Sequence, residues 1–164
     1  MTARAVLFAL DDRDAARLLT CREDHRRLME LVAEVEERWD PDHLVELDKS
    51  WDALHRCFTD GDLVFGNGEF PLSHAILGDG PLTEDDAYLV CFVTAEQVCA
   101  VAAALEPLDA RWIAERFAAL DFPGYQGSGD ADDIAYTQAY LADLQDFYRS
   151  AARHGRAVVF TVDQ

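Results

Sequence analysis

The sequence predicts an α+β fold: one helix-rich domain with a small mixed or antiparallel sheet of three to four strands. Three observations lead there. Three apolar runs of strand length, Ala5 to Leu10, Ala87 to Val93 and Ala157 to Val162, are each bounded by helix caps or glycine. Between them lie segments whose apolar residues recur at helical spacing. The two element types do not alternate regularly, which favours α+β over a doubly wound parallel sheet.

The elements follow in order. Ala5 to Leu10 reads as a buried strand ending at Asp11-Asp12, with a short helix over Asp14 to Leu19. Thr20-x-x-Glu23 has the form of a capping box for the next helix, which places Leu28, Leu31, Val32, Val35 and Trp39 on one face. Asp40-Pro41 ends it, because the residue before proline avoids the helical region. Asp48 to Phe58 reads as a helix with Asp48 as its N-cap. Asp60-Gly61 and Gly66-Asn67-Gly68 are turn signals around Leu63-Val64-Phe65, and Pro71 to Leu77 reads as a short helix.

Ala87 to Val93 is continuous and apolar, which predicts a central strand. Thr94-x-x-Gln97 opens a helix through Leu105 that stops at Pro107. Asp109 caps another with Ile113, Phe117 and Leu120 as its stripe, and a glycine-rich loop spans Phe122 to Gly129. Asp132 to His154 is the longest helix, with Ile134, Leu141, Leu144 and Tyr148 inward. Arg149, Arg153 and His154 near its end suit the helix dipole.

The chain has 164 residues, the usual size of one domain, so a single domain over 1–164 is expected. A chain of this length buries roughly 70% of its unfolded surface and needs no disulfide or metal staple. The formal net charge is −18, from 32 acids against 14 basic residues. Such a chain repels phosphate backbones and anionic membranes, so nucleic acid and membrane are not expected partners, whereas a basic protein is. The four cysteines, Cys21, Cys57, Cys91 and Cys99, form no C-x-x-C pair, and Cys91 and Cys99 are expected to be core residues. Without a signal peptide or a membrane-length apolar run, the expected location is the cytoplasm.

Two blocks carry a family resemblance. Leu47-Asp48-Lys49-Ser50-Trp51-Asp52-Ala53-Leu54-His55 resembles the YfbM-like pattern of Asp-Lys, then Trp-Asp, then Leu-His. Pro71-Leu72-Ser73-His74-Ala75-Ile76-Leu77-Gly78 resembles that family's Pro-Leu-Ser block. The apolar strand near Leu89 and the helix to Leu105 follow in the same order. The resemblance spans most of the chain and implies a small bacterial α+β protein without an assigned activity. It supplies no catalytic residues. The 127–133 loop and the single lysine, Lys49, depart from the family pattern.

The candidate site lies in the same stretch. Asp48, Asp52 and His55 are at i, i+4 and i+7, on one helical face, beside an apolar stripe of Trp51, Leu54 and Phe58. Asp48, Trp51 and Asp52 are the candidate binding residues; Asp52, His55 and His74 are the candidate catalytic ones. A carboxylate beside an imidazole suits a metal or a general base. The competing reading is structural, with Asp48 as a cap and His55 paired with Asp52. A metal needs further ligands, so neither a metal nor a cofactor is expected. No G-x-S-x-G elbow surrounds Ser73, and the three glycines of Gly61 to Gly68 lack a phosphate-loop ending. Tyr136 and Tyr140 are expected to pack between helices.

The leading functional expectation is a protein-interaction module for a basic partner, a toxin being one version. The alternative is a small hydrolase or transferase with a pocket near Asp48, Asp52, His55 and His74. The charge is concentrated in Asp40 to Asp86, where twelve acids, Glu84, Asp85 and Asp86 among them, face only Lys49 and Arg56.

Overall fold

A computed structural model describes residues 3–83 and 87–163. The acids Glu84, Asp85 and Asp86 lie outside the described residues. Four strands form one sheet: β1 (Ala5–Leu10), β2 (Leu44–Asp48), β3 (Tyr88–Val93) and β4 (Ala157–Asp163). Their order is β2-β1-β4-β3, and every neighbouring pair is antiparallel. Six helices accompany them: α1 (Asp12–Thr20), α2 (His25–Arg38), α3 (Ser50–Phe58), α4 (Ala95–Leu105), α5 (Ala110–Ala119) and α6 (Ala131–Arg153).

Alternation along the strands assigns two faces. Leu7 of β1, Cys91 of β3, and Val158, Phe160 and Val162 of β4 point into one core with α3, α4, α5 and α6. Phe8, Leu10, Val90, Phe92 and Val159 point into a second core with Leu18 of α1 and Leu28, Leu31, Val32 and Val35 of α2. The sheet is therefore covered on both sides. That is why three of its strands read as nearly continuous apolar runs, broken only by the buried Thr161, although all pairings are antiparallel.

The three predicted strands form as expected, but β3 is an edge strand rather than a central one. Its apolarity reports two covered faces, not two strand neighbours. Its outer side is partly met by the chain before it, where Leu82 N–H donates to Val90 O at 2.7 Å. β2 was not expected. Its five residues alternate too briefly to stand out: Val45 and Leu47 are buried while Glu46 is exposed.

Cap chemistry explains most helix boundaries. Asp11, Asp109 and Asp130 cap α1, α5 and α6 by accepting the N–H of the third residue on, from Asp14, Trp112 and Asp133. The Thr94–Gln97 capping box of α4 forms in full. The Thr20–Glu23 box does not. Thr20 ends α1, with its hydroxyl on Ala16 O, and Asp24 caps α2 because an aspartate directly before the helix competes for that place. Trp39 is not on the buried stripe. The Asp40-Pro41 step stops the helix at Arg38, and Trp39 takes a left-handed conformation at φ +40°, 43% exposed, edge-on to Phe8. Pro71 to Leu77 forms only a 3-10 turn at Leu72–His74, after a cis Phe70-Pro71 bond. Cys91 is in the core but Cys99 is exposed on α4.

In the α5 stripe Ile113 is buried while Phe117 and Leu120 are half-buried; in α6, Leu141, Leu144 and Tyr148 are buried and Ile134 half-buried. No helix among the described residues is long and apolar enough to cross a membrane.

Trp51 joins these layers. It is 3% exposed, its ring centroid is 5.6 Å from that of Phe160 in β4, and Nε1 donates to Ala3 O at 2.7 Å. Trp51→Ala is expected to cost about 3–5 kcal/mol, the range for large aromatic deletions in cores. Trp51→Phe keeps most of the ring and should cost less. Urea unfolding of the two variants checks the order; an unchanged midpoint for Trp51→Ala contradicts it.

Candidate functional site

Every residue of α3 is buried, Asp52, His55 and Arg56 included. Charges tolerate burial only when paired and hydrogen-bonded. Asp52 and Arg56, one turn apart, satisfy this: Arg56 Nε donates to Asp52 Oδ1 at 2.5 Å. The Nη1 group of Arg56 donates to Gly61 O at 3.1 Å and Pro123 O at 2.8 Å. The rings of Phe122 and Tyr125 lie 5.8 and 5.4 Å from its guanidinium carbon, a cation–π arrangement. Arg116 of α5 donates to Cys57 O at 2.8 Å and to Thr59 O at 2.5 Å. The last carbonyls of a helix carry partial negative charge, so a guanidinium is well placed there.

This helix end holds the 60–71 loop at several points. His55 Nε2 lies 3.3 Å from Val64 O and 3.1 Å from Asn67 Oδ1. The orientation of Asn67 is set by its own amide, which donates to Asp60 Oδ1 and, at 3.0 Å, to Asp62 O. Both atoms facing Nε2 are then acceptors, so the proton is on Nε2 and Nδ1 is bare. Nδ1 is buried and meets no donor among the described residues. Burial lowers the His55 pKa, with the bonds to Asn67 and Val64 opposing. The Asn67 amide in turn holds the Asp60 carboxyl below its usual range.

Two glycines let the loop approach. A Cβ on Gly61 would lie 2.2 Å from Asp121 O, and one on Gly68 would lie 2.8 Å from Thr59 Cγ2; both have positive φ. What the anchored loop leaves in solvent is apolar. Val64, Phe65 and Phe70 are 45%, 47% and 50% exposed, three of the five exposed large hydrophobic side chains among the described residues.

The residues singled out in the sequence are distributed differently. Asp48 does not cap α3; it ends β2 at φ +48°, and Lys49 holds the N-cap position without a side-chain bond. Asp48 Oδ2 accepts from Tyr136 Oη at 2.7 Å, and Arg4 Nε is 3.2 Å from Oδ1. Tyr136 therefore joins α6 to the end of β2, and its ring meets Tyr140 edge-on. Asp52 pairs with Arg56, not with His55. Trp51 is in the core. His74 keeps separate partners from His55: Ser73 Oγ at 3.0 Å, the edge of Phe70, and Asp79 at 3.6 Å. Burial pushes the Cys57 thiol up to about 12, which makes it unreactive.

Sequence reasoning missed Arg56 and Asn67, which carry no motif beyond the i, i+4 spacing of Asp52 and Arg56. It also missed an imidazole–carboxylate pair elsewhere. His43 Nδ1 lies 2.7 Å from Asp40 Oδ2, beside a cavity of about 70 Å³ lined also by Asp14, Arg38 and Arg156. The i, i+3 spacing of Asp40 and His43 was its only trace. No group of three or more His, Cys, Asp or Glu among the described residues is placed to hold a metal ion.

Fold and site define an antiparallel α+β protein with a buried ionic helix end and an anchored, partly apolar loop. The chain belongs to the family described as Domain of unknown function (DUF1877), whose model matches residues 1–161. It is a YfbM-like protein, in agreement with the two sequence blocks. It is similar to a crystal structure of YfbM from Escherichia coli, itself of unknown function, at 21% identity and a TM-score of 0.69; the match covers 97% of this chain and 99% of that one. At that identity the likeness shows the fold. No curated protein matches the chain.

Two outcomes follow from the helix end. Arg56→Met leaves the Asp52 carboxylate buried without a partner and should cost about 3–5 kcal/mol, with Asp52→Leu added to it restoring part of the loss. Urea unfolding of the single and double variants reads this directly. The second concerns pH. The folded His55 pKa is below the unfolded value of about 6.5. The unfolded state therefore binds the proton first as pH falls, and the folded state loses stability below that value until its own pKa is reached. Relative to His55→Gln, the protein should lose stability between pH 7 and pH 5.5 and show no relative change above pH 7.5. Parallel curves across the whole range would contradict the assignment.

Proposed function

We propose that this protein is an interaction module for a basic protein partner. The observation that carries the reading is uncompensated charge at the surface. The net charge is −18, and Asp42, Glu46, Asp60, Asp62 and Glu69 meet no cation among the described residues. Asp42, Glu46, Asp60 and Glu69 are exposed and Asp62 half-exposed. Such a field draws in a cationic partner and repels phosphate and anionic lipid. A toxin with a basic surface is one partner of this class.

The enzymatic alternative has less support. Its four residues, Asp48, Asp52, His55 and His74, have separate partners, and Asp52 and His55 are 4% and 2% exposed. A general base needs reach to a substrate proton, which such burial denies.

The test is salt. Capture of a basic protein from the native cell at about 0.01 M ionic strength, where the Debye length is about 30 Å, should give an association rate that falls as it shrinks to about 8 Å at 0.15 M. A partner whose association rate does not change over that range, or an empty capture at low salt, counts against the reading.

A further inference from the structure

Isolated exposed hydrophobic side chains are normal on a protein surface. The 60–71 loop is different in three respects. It gathers Val64, Phe65 and Phe70, all near half exposure, into seven consecutive positions. It is fixed from below by His55 on Val64 O and Asn67 Oδ1, by Arg56 on Gly61 O, and by the contact of Gly68 with Thr59. It also carries Asp60, Asp62 and Glu69, none of which has a cationic partner among the described residues.

Each respect bears on binding. Aromatic side chains supply much of the energy of protein interfaces, and charges around them set the partner's complement. A loop that is already ordered loses little further conformational freedom when it docks. The acids choose among occupants. A second copy of the chain in a two-fold contact brings acid against acid, and phosphate-bearing surfaces are repelled.

We infer that the 60–71 loop is the docking surface, inserting Val64, Phe65 and Phe70 into an apolar cleft of a protein whose rim is lined by lysine or arginine. This rests on the basic-partner reading and adds its location and its apolar component. His55 acts here as a positioning residue, holding the loop rather than touching the partner.

Two synthetic peptides of equal positive charge separate the components: one alternating lysine and leucine, the other alternating lysine and serine. Each is titrated into the full-length protein at low and physiological salt, with backbone amide shifts as the readout. The lysine–leucine peptide should bind about tenfold tighter, with its shifts centred on residues 60–71. The Phe65→Ser/Phe70→Ser variant should remove that advantage while keeping the urea midpoint; Val64→Ser is a milder second variant should the double one unfold. His55→Gln should reduce the same advantage. Equal binding of both peptides, or shifts centred away from the loop, overturns the loop assignment and leaves the basic-partner reading standing. Absence of binding by either peptide at low salt overturns both. Self-association of the protein that the phenylalanine changes abolish overturns it in favour of a second copy.

Discussion

The pairing of β1 with β4 constrains the rest of the structure. The first and last strands of the chain lie side by side at the centre of the sheet, in register from Ala5 against Val162 to Leu10 against Ala157. Joining them closes a loop of nearly the whole chain, an entropic cost that the cores on both faces must offset. Both faces of this pair are therefore apolar and covered by helices, α1 and α2 on one side and α3, α4 and α6 on the other, with α5 packed outside on α3 and α6. β2 and β3 extend the pair outward, and the connections between strands carry the helices to one face or the other.

α3 translates that core into a surface. It enters from the end of β2, buries Trp51 against Phe160, and finishes with three polar residues that the fold does not expose. Arg56 and His55 reach beyond the helix, with His55 Nδ1 left without a donor among the described residues, while Thr59 turns back onto it. Arg56 binds the carbonyls of Gly61 and Pro123, His55 binds the 60s loop, and Thr59 returns its hydroxyl to His55 O. Buried polar groups need such partners, and the segments that supply them are irregular loops. The order of those loops is thus a consequence of burying the helix end. Of the three polar residues, only His55 belongs to the set that resembles a catalytic constellation on paper, and its Nε2 faces the 60s loop.

How much of this was legible depends on the length over which a signal repeats. The strands at Ala5, Tyr88 and Ala157 were legible because both faces are buried and the runs are almost wholly apolar. The Thr94 capping box and the Asp109 cap were legible because their chemistry is local. β2 was not, since one exposed residue between two buried ones is indistinguishable from chance. The Thr20 box failed because Asp24 offered an equivalent cap nearer the helix. Trp39 was misplaced because the helix stops at Arg38, one residue short of the Asp40-Pro41 step, and helical spacing does not show that Trp39 becomes its left-handed C-cap.

The sequence by itself determined the fold class, the family, the strongly acidic charge and the burial of Trp51. These are set by composition, by period and by motifs whose residues are close along the chain. Only the tertiary structure decided that β3 is an edge strand, that Asp52 takes Arg56 instead of His55, and that His55 holds Asn67. A helical face shows which residues share a direction; it does not show which distant carbonyls the fold brings to meet them. Pro123 is 67 residues from Arg56, and Tyr136 is 88 from Asp48. Pairings at such separations depend on the packing of whole elements, because the interaction that selects them does not exist until the chain has folded.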